Sequence, residues 1–292
     1  MNHRFRRFRR FACVDWSGAK GERQPGIAVA MSGGPGRTPK LIERRWSREA
    51  VLAWLIDHGR RGSDLLIGID FSAALPFADR GAYFPGWADS PPDARALWRQ
   101  TEAICGGDPN LEAGSYIDHA EISRYFRRHG GRQGDLFGVG NGRYRLVERI
   151  CREGRHGPAT SSFNLVSAAQ VGKSSLTGMR MLDRLAGRVP IWPFDPVPER
   201  GPLIVEIYTT IAARRAGLSG GSKMRDADRL RAGLNGLGIA RTPTLARHDD
   251  HSTDAILAAA WLADAAGRAE LWTPAAMTPE IASTEGWTFG IP

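Results

Sequence analysis

Apolar runs that each end on an acid punctuate this chain: Phe11-Ala-Cys-Val-Asp15, Leu65-Leu-Ile-Gly-Ile-Asp70 and Pro202-Leu-Ile-Val-Glu206 share that form. Short, nearly all-apolar runs of this kind read as strands inside a sheet covered on both faces. Residues 26–31 and 40–46 predict two more strands, with a Gly/Pro turn at 32–38 between them. Ser47 is placed to cap a helix running to His58, with Val51, Leu52, Trp54, Leu55 and Ile56 as its apolar face. Residues 11–71 therefore read β-β-β-α-β. Three neighbouring strands, a crossing helix and a strand that returns to the sheet make an α/β layer architecture.

Residues 76–200 break the pattern. They are rich in Gly, Pro and Arg, and helices are expected at 93–104, 118–129, 143–153 and 176–187, with loops at 105–115 and 130–142. This is too long for a connection. It reads as a helical insertion packed over the strand ends of a core built from 1–75 and 201–292. After it, 202–208 predicts a strand, 210–216 and 222–236 predict helices, and 270–273 a short last strand. Residues 254–266 predict a strongly apolar helix capped by Asp250, Ser252 or Thr253.

The 292 residues suit one large domain or one domain with a big insertion. No apolar run approaches the ~20 residues of a membrane-spanning helix, which argues against a membrane partner. The basic start, residues 1–11, lacks the apolar centre of a secretory signal. Cys13, Cys105 and Cys151 lie far apart with no CxxC pair, as expected of a cytoplasmic chain. The net charge is +9. Lys20, Lys40, Lys173 and Lys223 are the only lysines, so the basic side chains are nearly all arginine, which grips phosphate bidentately. Such a charge suggests nucleic acid as partner. Nucleotide bias in the source genome explains the excess of arginine over lysine equally well, though not the net charge. Residues 2–10, with Phe5 and Phe8 among arginines, are either a phosphate-binding arm or a frayed terminus. Arg124, Arg127, Arg128, Arg132, Arg143, Arg145, Arg149 and Arg152 form either a substrate-positioning basic face on the insertion or a merely solvated one.

Singly, each acid has an ordinary explanation. Asp15 suits a turn, and Asp250 and Asp254 suit the positive end of a helix. Asp70 and Glu206 are harder to dismiss, because a carboxylate beside a buried strand costs free energy unless it is paired, hydrogen-bonded or metal-bound. As a set, three acids on strand ends and two at i, i+4 near a helix start can converge on one sheet edge, where ligand sites of open α/β sheets lie. Converging carboxylates repel unless cations neutralise them. Two divalent ions about 3.5–4 Å apart do so, and such a pair cleaves phosphodiesters. An oxygen-only ligand set favours Mg²⁺ or Mn²⁺. His248 and His251 flank Asp249 and Asp250, where a histidine orients water, shuttles a proton or joins the metal shell, unless both are simply solvated.

Other chemistries fit less well. Ser167-Ala-Ala-Gln-Val-Gly-Lys-Ser174 has most of a phosphate-binding P-loop, but serine replaces the first glycine. Gly138-Val-Gly-Asn-Gly142 lacks the preceding strand of a dinucleotide fingerprint. There is no HExxH, no Cys/His cluster and no GxSxG elbow, which argues against a zinc site and a serine hydrolase.

At Val14-Asp15-Trp16-Ser17-Gly18-Ala19, Ile67-Gly-Ile-Asp70-Phe-Ser72, Val205-Glu206-Ile-Tyr208 and Asp250-His-Ser-Thr-Asp254-Ala255 the chain resembles the "domain of unknown function 429" family of predicted RNase H-like nucleases. Gln170-Val-Gly172 and Thr284-Glu285-Gly286-Trp287 extend the likeness. The acid pattern is also similar to that of Holliday-junction resolvases. The resemblance implies an RNase H-like core with a mixed central sheet flanked by helices, and hydrolysis of DNA or RNA at an acidic cluster of Asp15, Asp70, Glu206, Asp250 and Asp254. It puts Asp15, Asp70 and Asp254 in the metal shell. Asp15 would bridge two ions, Asp70 and Asp254 would each complete one, and Glu206 or Asp250 would hold a water or the second ion. Ser17 and His251 would stand just outside. Thr209 departs from the proline usual after the family's Glu-x-Tyr segment. Asp250 lies four residues before Asp254, whereas resolvases tend to use three; His251 has that spacing. Two alternatives remain. One is an actin-like-fold phosphotransferase, for which Trp16-Ser17-Gly18 offers one weak phosphate loop and Ser72-Ala73-Ala74 offers none. The other is a catalytically inactive nucleic-acid binder.

Overall fold

The computed structural model describes residues 7–154, 156–166, 171–218 and 225–292. Most of the arginine-rich start, Ser167 to Gln170 of the P-loop-like stretch, and the beginning of the helix expected at 222–236 lie outside the described residues.

Six strands form one mixed sheet in the order β3-β2-β1-β4-β6-β5. These are β1 (Arg10–Asp15), β2 (Ala28–Ser32), β3 (Lys40–Leu41), β4 (Leu65–Asp70), β5 (Ile191–Trp192) and β6 (Leu203–Ile207). β1, β2 and β3 form an antiparallel meander, while β1/β4, β4/β6 and β6/β5 are parallel. The expected β-β-β-α-β opening is present. Helix α1 (Arg48–Arg60) crosses from β3 to β4, and Ser47 Oγ caps it by accepting from the Ala50 N–H.

Side-chain alternation divides the core in two. Phe11, Cys13, Leu66, Leu203, Val205 and Ile207 face one side, where the longest helix, α8 (Asp250–Ala265), lies with the C-terminal residues Trp287, Phe289 and Ile291. Ala12, Val14, Leu65, Ile67, Ile69 and Ile204 face the other, covered by α1, α2 (Ala94–Ile104) and α5 (Val171–Leu185). The small residues of α8, among them fully buried Ala255, Ala258 and Ala259, let it lie close on the sheet. Gly68 on β4 is part of that fit, since a Cβ there would come within 2.8 Å of Ile207 Cδ1. Among the described residues, no helix is long and apolar enough to cross a membrane.

Several elements differ from the sequence expectation. The segment 76–200 does not merely hang over the strand ends: it contributes α5 to one face of the sheet and β5 to its edge. The helix expected at 118–129 is instead a 3₁₀ turn at Ile122–Tyr125, and the short α3 (Gly114–Ile117) precedes it at the end of the expected loop 105–115. Ile122, Tyr125 and Phe126 are buried, and the backbone at Arg127 pairs with that of Phe163 and Leu165, which pulls the chain out of a helix. β3 shrinks to two residues. The expected strand at 270–273 is a 3₁₀ turn, Ala269–Leu271, pinned where Trp272 Nε1 donates to the Ala266 carbonyl. α4 (Leu146–Glu153), α6 (Thr209–Arg215) and α7 (Ala227–Gly236) match expected helices, whereas α9 (Pro279–Thr284) was not foreseen. α8 begins four residues early, with Asp249 as its cap rather than Asp250, Ser252 or Thr253; its carboxylate accepts from the Ser252 N–H.

Candidate active site

Asp15 and Asp70 are directly paired positions at the ends of adjacent parallel strands. Neighbouring strands lie about 4.8 Å apart, so the two carboxylates leave the sheet side by side. By alternation both belong to the face of Cys13 and Leu66, which is the face α8 covers. Helix α8 brings Asp250, His251 and Asp254 there in its first turns. Cys13 reports the grouping: burial first, then Asp15, Asp70 and Asp254 together, push its thiol well above the usual range.

The acids are held differently. Asp15 is buried, and its Oδ2 lies 2.8 Å from His251 Nδ1. Burial raises its pKa, and the His251 hydrogen bond opposes the rise. His251 is raised in turn, chiefly by that bond. Asp70 Oδ2 accepts from Thr209 Oγ1 at 2.8 Å. Burial, then the neighbouring Asp15 charge, push Asp70 up to about 8, with Asp254 adding to the rise. Burial and mutual repulsion both disfavour full ionisation of this group. Asp250 is gripped by Arg225, whose Nε and Nη2 reach its two oxygens at 2.7 and 3.0 Å. Among the described residues, no three of His, Cys, Asp or Glu are grouped closely enough to hold an ion as they stand.

Glu206 parts from this group. It pairs with Ile69, one position before Asp70, and alternation turns it to the opposite face. There Arg145 meets it with two bonds, Nη2 to Oε1 at 2.6 Å and Nη1 to Oε2 at 2.8 Å. The Ala73 N–H and the Thr288 hydroxyl also donate to it. Arg145 Nε binds Glu148 at 3.0 Å as well. Arg145, Glu148 and Glu206 are all nearly inaccessible to solvent. The Glu206 carboxylate is thus neutralised and filled with protein donors, and it forms a wall of the cleft rather than joining Asp15 and Asp70.

Ser17 lies beside the acids but serves its own turn. Its Oγ accepts from the Ala19 N–H, and its neighbour across Gly26 is the His251 ring. Most of the arginines expected on a basic face are likewise engaged. Arg124 binds Asp135 and Glu121, Arg128 binds Asp118, and Arg143 binds Asp79 and three backbone carbonyls. Arg145 is in the core and Arg152 donates to the Ala159 carbonyl, while Arg149 is exposed.

A cleft of about 400 Å³ opens over this edge. It is lined by Asp15, Asp70, His251, Asp254 and Thr209, together with Arg145 and Glu148. Thr209 was not singled out as an Asp70 partner, though it directly follows the Glu-x-Tyr segment. Glu285 lies in the Thr284–Trp287 stretch of the resemblance, which gives it no role; its carboxylate takes the N–H groups of Phe77, Ala78 and Leu146, tying the C-terminal segment to the ends of 76–146. Set against family models, curated proteins and solved structures, the chain matches none.

Proposed function

We propose that this protein is a divalent-metal-dependent nuclease with an RNase H-like core, hydrolysing phosphodiester bonds of DNA or RNA. The single observation that carries the reading is the paired register of Asp15 and Asp70, with Asp254 brought to the same face by α8. The strand order, an antiparallel meander extended by parallel strands, supports the same core. So does the resemblance to the "domain of unknown function 429" family.

The residues fit a hard divalent cation. Their donors are carboxylate oxygens, and burial, with the Asp15 charge second, raises Asp70, a state that a bound cation would relieve. Asp15, Asp70 and Asp254 would hold the ions. Bound Mg²⁺ or Mn²⁺ supplies an acidified water and screens charge on the scissile phosphate. The chain's own residues prepare that chemistry. His251 fixes the orientation of Asp15, and Thr209 fixes that of Asp70. Asp250 is clamped and its charge compensated by Arg225 at the start of α8. The Arg145–Glu206 pair holds the loop after β4 in place through the Ala73 N–H.

The phosphotransferase alternative is disfavoured by that same loop. A phosphate loop after β4 needs free backbone N–H groups, but the Ser72 N–H donates to Ser175 Oγ and the Ala73 N–H to Glu206. The test is Mn²⁺-dependent cleavage of a panel of DNA, RNA, hybrid and branched substrates. Cleavage by the wild type that is lost in Asp15→Asn supports the reading. Cleavage that survives Asp15→Asn removes it.

A further inference from the structure

A second recess, of about 730 Å³, lies between the 36–41 segment, which contains the end strand β3, and the stretch 241–245 that leads towards α8. Thr38 Oγ1 donates to the Arg241 carbonyl and holds the two walls together. Arg37, Lys40 and Arg241 line it against one acid, Glu43. All three cations are exposed, and among the described residues none of them makes an ion pair. This distinguishes them from Arg124, Arg128, Arg143 and Arg145, whose charge is spent inside the molecule.

The hydroxyls of Thr38, Thr242 and Thr244 stand among these cations, and Thr242 Oγ1 is shielded from solvent without a hydrogen-bond partner. Among the described residues, no aromatic side chain lines the recess. Arginine, lysine and threonine hydroxyls recognise phosphate oxygens. From Arg241 the chain runs directly to Asp249, the cap of the helix that presents His251 and Asp254 to the acidic cleft. The segment that lines one recess therefore leads into the helix whose first turns line the other.

We infer that this groove seats the phosphate backbone of a nucleic-acid duplex, independently of base sequence, and orients it toward the acidic cleft. The choice of partner rests on the nuclease reading; the groove's chemistry stands apart from it. A duplex is favoured over a single strand because the groove offers phosphate ligands and, among the described residues, no aromatic platform for unpaired bases.

The experiment is fluorescence anisotropy with a labelled 20-base-pair DNA duplex in EDTA, where no cleavage intervenes, over a series of salt concentrations. Arg37→Ala combined with Arg241→Ala is expected to weaken binding at least about tenfold, the scale of a single lost bond to a charged group. It also lowers the log–log salt slope by about two, one unit per lost phosphate contact. Thr244→Asp, an exposed substitution that places a negative charge in the groove, weakens binding in the same direction. A single strand of the same length binds less tightly than the duplex.

A double variant that binds within twofold of wild type with an unchanged slope overturns the groove assignment, as does a wild type that binds no duplex. Asp15-dependent cleavage together with unaltered duplex binding by the double variant sinks the groove and leaves the nuclease reading standing. Duplex binding lost in the double variant, with no cleavage under any metal, does the reverse.

Discussion

Charge at single residues sets the chemistry of the cleft. Asp70 is pushed up to about 8 by burial and by Asp15, so at pH between its usual value and 8 the metal-free native state holds a proton that the unfolded chain releases. Stability then falls as pH rises through that window. His251, raised by its bond to Asp15, acts in the same direction, since its contribution is present below its ordinary value and lost as pH climbs past the raised one. Thermal unfolding in EDTA is expected to show the melting temperature declining from pH 5 to pH 8, with a shallower decline in Asp70→Asn. Arg145 makes a different expectation. Arg145→Ala leaves Glu206 and Glu148 buried without their cation and costs about 3–5 kcal/mol, measured by urea unfolding. Arg145→Met with Glu206→Gln is expected to recover part of that loss, because the unpaired charge on Glu206 goes with the arginine.

At the scale of elements, α8 both closes the core and presents His251 and Asp254. Its first turn depends on Asp249, so Asp249→Ala is expected to cost about 0.5–2 kcal/mol of stability. On the proposed reading it also weakens Mn²⁺ binding measured by calorimetry, since fraying begins one turn before the proposed ligand Asp254. Gly68→Ala tests the other surface of the same contact. The added methyl meets Ile207 and Leu262, and overpacking of this kind costs about 1–3 kcal/mol.

Elements were also the scale at which the sequence was most readable. The runs ending at Asp15, Asp70 and Glu206 are apolar enough to be strands whatever surrounds them. Ser47 and the spacing of Val51 and Leu55 mark α1 locally. What the runs do not show is register. Asp70 pairs with Asp15, but Glu206 pairs with Ile69, and that one-residue offset sends Glu206 to the opposite face. Three acids that look equivalent along the chain therefore divide between two sides of the sheet. The two-residue β3 and β5 and the 3₁₀ turns at 122–125 and 269–271 are set by tertiary contacts, which leave no periodic trace.

For the whole molecule, a net charge of +9 is distributed unevenly in its effect. The arginines of the middle segment read as a basic face because a run of charge gives no sign of its partners. Folding instead brings Asp79, Asp118, Asp135, Glu148 and Glu206 to them. Cations in the groove beside β3 stay outside such pairs, and the acids near α8 gather on one rim. A basic molecule with a concentrated acidic edge suits a polyanion delivered to a cation-dependent centre. On that view Mn²⁺ should raise the melting temperature more at pH 8 than at pH 5, because binding must displace the Asp70 proton at the lower pH.

The most direct measurement is anomalous diffraction from crystals soaked in Mn²⁺. An ion coordinated by Asp15 together with Asp70 or Asp254, and lost in Asp15→Asn crystals, is the expected result. Saturating Mn²⁺ that leaves those carboxylates without an ion, or that binds only elsewhere on the molecule, would contradict it.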